Sequence, residues 1–203
     1  MARRGCAMNV FWASFICLGL GISAASAGPL HDAAREGNVE RVRQLADQGA
    51  NLSEPDATGE PALLIAALSG KADVVALLLD RGCDIEIRNK GGLTALHAAA
   101  YGGHLDVVEL LVARGTSVND HKNFYSMTPL HAAAEEGHAD IIAFLLAQKA
   151  DIEPKERNGY TPVTQAGWRS HWDSVTLLLK AGAACQGADL TGQWLYDECT
   201  KRK

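Results

Sequence analysis

The sequence predicts an all-α repeat solenoid: helix–turn–helix units, each followed by a polar, hairpin-like finger, about five in number and closed by a C-terminal capping helix. Three columns of residues carry that prediction. Leu30, Leu63, Leu96, Leu130, Val163 and Tyr196 recur at spacings of 33, 33, 34, 33 and 33. Val42, Val75, Val108, Ile142 and Val175 keep the same period, as do Gly49, Gly82, Gly115, Lys149 and Gly182. A fixed period in this range is the mark of stacked units that cannot bury their apolar faces alone.

The chain opens with a segment that reads as a secretory leader. Arg3 and Arg4 give a positive start, an apolar stretch runs from Val10 to Ile22, and Ala25-Ser26-Ala27 offers the small residues a signal peptidase accepts. The apolar stretch is shorter than the roughly 20 residues that span a bilayer, so no permanent membrane anchor is expected. Cleavage between Ala27 and Gly28 would place the protein in the periplasm or outside the cell. It would also remove two arginines, taking the net charge from −5 to −7.

The remaining chain divides into repeats at about 28–59, 60–92, 93–126, 127–159 and 160–192, with a cap at 193–203. Repeat three shows the logic. Thr94-Ala95-Leu96-His97 opens a first helix whose alanines, Ala98 to Ala100, let helices approach closely. Gly102-Gly103 ends it, as glycine commonly does at a helix C-terminus. Val107, Val108, Leu110, Leu111 and Val112 supply the apolar face of a second helix, which Gly115 stops. An acid recurs at the start of each second helix (Glu40, Asp73, Asp106, Asp140, Asp173), where it complements the helix macrodipole. Repeat three carries one extra residue in its finger, between Asn119 and Ser126. Lys149 stands in the glycine column of repeat four, and Ser170 replaces the helix-ending glycine of repeat five. Trp194 to Thr200 reads as the cap.

Thr128-Pro129-Leu130-His131-Ala132-Ala133-Ala134, followed by Gly137-His138, resembles the ankyrin-repeat consensus, as do Thr94 to Ala100 with Gly103-His104. The resemblance covers residues 30 to about 192. It implies a protein-binding scaffold whose concave face and finger tips form a groove and its rim, and it implies no cofactor.

Composition agrees: 47% hydrophobic and 21% charged residues describe an ordinary globular chain. The acidic balance gives no basic patch or stripe of the kind nucleic-acid binders show. Phosphate-binding, nucleophile-elbow and zinc-protease motifs are missing, which points away from an enzyme. The histidines repeat with the period, so their expected role is structural. A metal-dependent factor or enzyme using surface histidines is the alternative reading. Cys83, Cys185 and Cys199 all fall in packing columns and are expected as buried free thiols, with a Cys185–Cys199 disulfide at the cap as the alternative that export would allow.

The candidate binding residues come from the column after the alanines: Arg35, Leu68, Tyr101, Glu135 and Trp168, beside Arg169. Tyr and Trp are enriched in binding hot spots. Glu135 is expected to give the groove an acidic centre suited to a protein partner with basic and apolar side chains. Phe124 and Tyr125, on the lengthened finger, are expected as an exposed pair at the rim. Trp172 is expected in the core.

Overall fold

The computed structural model describes residues 28–203; the expected leader, residues 1–27, lies outside the described residues. Each repeat supplies an inner and an outer helix: α1 (Pro29–Glu36) and α2 (Val39–Asp47), α3 (Ala62–Leu68) and α4 (Ala72–Asp80), α5 (Ala95–Gly102) and α6 (Leu105–Ala113), α7 (Pro129–Glu136) and α8 (Ala139–Ala147), α9 (Pro162–Trp168) and α10 (Trp172–Lys180). Two more follow, a one-turn α11 (Ala188–Thr191) and the cap α12 (Gln193–Thr200). Among the described residues no strand forms, and Pro55 and Pro61 make only an isolated bridge.

The odd-numbered helices α1 to α9 stack on one another as an inner row, and α2 to α10 form a second, outer row. The alanine column explains the close inner stacking: Ala33, Ala66, Ala99, Ala133 and Ala166 are all buried and put nothing larger than a methyl group between neighbouring helices. The leucine and valine columns fill the space between rows, with Leu63, Leu96, Leu130, Val75, Val108 and Ile142 almost fully enclosed. One continuous apolar cluster runs from Leu30 to Cys199. The periodic acids lie in the first turn of each outer helix as expected, and Asp106 and Asp140 accept the next backbone N–H at 2.9 and 2.8 Å.

The outer helices end in left-handed residues. Gly49, Gly82, Gly115 and Gly182 take φ between 83° and 107°, and Lys149 is held at 65° in the same column. A side chain at that geometry costs about 1 kcal/mol. Ser170 and Ser126 adopt the same region, at 64° and 56°.

The C-terminal end differs from the expectation of free thiols. Cys185 and Cys199 are bonded, with their Cα atoms 5.9 Å apart, while Cys83 stays buried and free. The physical reason is the path of α12. It folds back onto α9, with Leu195 pressed against Gly167, and carries Cys199 to the segment that holds Cys185. Trp172 is half-buried rather than core, between Trp194 (centroids 5.9 Å apart) and Arg202, whose guanidinium lies 4.1 Å from its ring.

Candidate protein-binding face

The histidines fix the frame on which the candidate residues sit. In α5 and α7 they form the first-turn box expected of Thr-x-x-His. His97 Nδ1 lies 2.9 Å from Thr94 Oγ1, and His131 Nδ1 3.0 Å from Thr128 Oγ1. The opposite ring nitrogen then donates across the groove to the following finger: His97 Nε2 to the carbonyls of Asp120 and Met127 at 3.1 and 3.0 Å, His131 Nε2 to that of Tyr160 at 3.1 Å. Burial pushes both imidazoles below their ordinary value, His131 to about 4, so at neutral pH they are uncharged donors and acceptors. In repeat five Thr164 fills the column, and Gln186 does the same work from the other side. Its carbonyl oxygen accepts from Thr161 N and Thr164 Oγ1, and its amide donates to the carbonyl of Gly159.

A second histidine column latches repeat to repeat. His104 Nε2 donates to the carbonyl of Leu68 at 2.9 Å, and His138 Nε2 to that of Tyr101 at 3.0 Å. The rings pass over the glycines that end the preceding inner helices. A Cβ on Gly103 would fall 2.5 Å from the His138 ring, which is why that position, at φ 78°, holds glycine. His121 lies exposed on its finger. No three His, Cys, Asp or Glu side chains gather as a metal-binding group among the described residues.

Two of these latches end on the candidate column, at Leu68 and Tyr101, and Leu68, Tyr101, Glu135 and Trp168 all lie at the C-terminal ends of the stacked inner helices. Leu68 and Tyr101 are half-buried, and Trp168 is 38% exposed. Glu135 departs from its expected role. It is 3% exposed, and its carboxylate accepts from Arg169 Nη2 at 2.5 Å. Arg169 also lies 3.8 Å from Glu136. Burial pushes the Glu135 carboxyl up and the Arg169 bond only partly counters it. Glu135 is therefore an anchor for Arg169, and the expected acidic centre is a compensated ion pair beside Trp168.

The fingers share a device that the 33-residue columns already contained. Asp56, Asn89, Asn123 and Glu156 each turn a side-chain oxygen back to the backbone N–H groups two and four residues on. Their spacings of 33, 34 and 33 were the available signal. The extra residue of repeat three lies before Asn123 and brings Asp120 under Arg88, which grips it at 2.8 and 3.1 Å. Arg88 also bonds the carbonyls of Gly92 and Lys122, so this residue, absent from the sequence expectations, pins the lengthened finger. The pinned tip joins its neighbours by backbone: Phe124 N donates to Gly91 O at 2.9 Å, and Arg157 N to Tyr125 O at 2.7 Å. Phe124 is 64% exposed under the Arg157 guanidinium, 4.4 Å away, whereas Tyr125 is half-buried, packed edge-on against Phe124. The rim thus presents one exposed aromatic rather than two.

Among the described residues no helix is long and apolar enough to cross a membrane. Comparison with curated proteins gives no significant match. A family model described as ankyrin repeats (3 copies) matches residues 30–122 and again 117–189. With the paired helices, the Thr-x-x-His boxes and the inter-repeat latches all in place over that span, the chain belongs to the ankyrin-repeat family.

Proposed function

We propose that this protein is a non-catalytic binding module that works in an exported compartment and holds a protein partner along the row Leu68, Tyr101, Trp168 and Arg169. The observation that carries the reading is Trp168. It stands 38% exposed at the end of an inner helix, in the same column as Tyr101; the other large apolar side chains exposed among the described residues, Phe124, Leu190, Trp194 and Tyr196, lie on a finger or at the C-terminal cap. Aromatic and arginine side chains in such a setting supply most of the energy of an interface. Arg169, aligned by Glu135, offers a fixed cation beside the Trp168 ring, so the partner fills the row with an apolar side chain. Long-range attraction for a partner with Lys or Arg comes from the charge of −7 that the chain carries without its leader.

Two observations support export. The first 27 residues have the leader pattern, and a Cys185–Cys199 disulfide suits an oxidising compartment. N-terminal sequencing of the protein from culture supernatant or periplasm is expected to begin at Gly28. Recovery solely as intact chains from the cytosol would contradict the placement.

A photo-crosslinking amino acid at position 168 tests the binding row, with one at Glu109 on the exposed face of α6 as reference. Discrete adducts from position 168 and none from position 109 are expected. Adducts from 109 alone would move the interface to the outer helices.

A further inference from the structure

The finger tips of repeats two, three and four differ from the row of inner-helix ends in their charge. The carboxylates at the tips themselves are turned inwards, whereas Asp84, Glu86, Asp151 and Glu153, earlier in the same fingers, are exposed. Asp120 is 8% exposed under Arg88, Glu156 is 5% exposed and closes its own turn, and Glu60 accepts from the Asn89 amide. The cations are left outside. Lys90, Lys122 and Arg157 are all exposed, and none of the three is in an ion pair among the described residues. The three tips are one surface, because backbone hydrogen bonds join Gly91 to Phe124 and Tyr125 to Arg157. Phe124 projects from its middle, braced by the edge-on Tyr125 ring.

From this geometry we infer that the strip formed by Lys90, Lys122, Phe124 and Arg157 binds a short acidic segment of a protein, in which carboxylates flank an apolar or aromatic side chain. The charge complementarity is local. At contact range a ligand meets the protruding cations first, since screening at physiological salt limits the remaining charges to about 8 Å. At longer range the acidic molecule repels an extended polyanion. That selects a short acidic peptide over a nucleic acid, and the single exposed ring gives no platform for successive bases. The Phe124 face already takes a cation from Arg157, so an incoming carboxylate finds that guanidinium oriented over an apolar surface. The inference goes beyond the binding row proposed above and uses none of its side chains.

Fluorescence anisotropy of the purified protein with a labelled EELFEE hexapeptide, the charge-reversed KKLFKK hexapeptide and a labelled oligothymidylate tests it. The acidic peptide is expected to bind at least tenfold more tightly than the other two and to weaken as salt rises. A Lys122→Glu/Arg157→Glu variant should lose at least tenfold for EELFEE, and Phe124→Ala should weaken it as well. Trp168→Ala should leave that affinity within twofold. Equal binding of the charge-reversed peptide, tighter binding of the oligonucleotide, or insensitivity to the double charge reversal would each overturn the inference. Loss of EELFEE binding in Trp168→Ala alone would assign the peptide to the inner-helix row and likewise overturn it. Failure of the hexapeptide leaves the crosslinking result at position 168 unaffected, so the two readings fail separately.

Discussion

Lys149 shows how much a single position can be read for. The sequence places it in a column of glycines that end outer helices, and the backbone there is left-handed at φ 65°. Its side chain is exposed and serves no buried contact. Lys149→Gly is therefore expected to raise stability by about 0.5 kcal/mol, the left-handed cost of about 1 less the extra freedom glycine gains when unfolded. Urea denaturation measures it, and a midpoint unchanged or lowered would mean that the residue is not strained. Glu135 is the opposite case. The periodicity located it but could not say that its neighbour from the next repeat, 34 residues on, would neutralise it. Buried pairing depends on side-chain geometry across repeats, which a column of letters does not carry. Arg169→Ala should strand the Glu135 carboxylate and cost about 3 kcal/mol, since breaking a buried pair from one side leaves an uncompensated charge. Because burial already raises that carboxyl, the loss should shrink as the pH falls and Glu135 takes up a proton. A cost independent of pH would contradict the pairing.

At the scale of elements, the helices were legible because their signals are local: Thr-Pro or Thr-Ala starts, alanine runs, acids in the first turn of the outer helices. The cap was not. Trp194 to Thr200 could be read as a helix, but its direction, and therefore the meeting of Cys199 with Cys185, follows from the turn made by α11 and Gly192. The fingers were half legible. Their turn-forming column of Asp56, Asn89, Asn123 and Glu156 had the right period but mixed side chains, so the signal was chemical rather than alphabetical. Opening the disulfide with a Cys185→Ser/Cys199→Ser variant removes a link across 14 residues and should cost about 3 kcal/mol. In a solenoid each unit is held only by its neighbours, so the loss should appear first at α12. Hydrogen exchange is expected to show faster exchange from Gln193 to Thr200 with α5 unchanged. Uniformly faster exchange along the chain would show that the cap and repeats unfold as one unit.

The whole molecule is held by uncharged buried imidazoles at its repeat junctions, and this sets its response to acid. His131 is pushed down to about 4, and His97 is lowered in the same direction. In the unfolded chain both take up protons near pH 6.5, so between pH 6.5 and 4 the unfolded state binds more protons. Stability is complete above that window and falls as the pH drops through it. His131 alone accounts for roughly 3 kcal/mol. Glu135 and Glu60, whose carboxyls are raised by burial, act the other way and gain on acidification. A fall in melting temperature from pH 7 to pH 4.5, reduced in His131→Gln after allowing for its lower starting stability, is the expected result. A flat profile would mean that the histidines are charged in the folded state.

The central proposal is that this scaffold grips a protein partner through the ends of its inner helices. Once crosslinking has identified that partner, isothermal titration calorimetry of Tyr101→Ala and Trp168→Ala tests the claim most directly, with Glu109→Ala as the outer-face control and circular dichroism confirming the fold of each variant. Truncating a hot-spot aromatic typically costs about 2 kcal/mol or more, close to thirtyfold in affinity. The predicted result is a loss of that size for Trp168→Ala, a smaller one for Tyr101→Ala and none for Glu109→Ala. Unchanged affinity in both aromatic variants, with loss in Glu109→Ala, would contradict it.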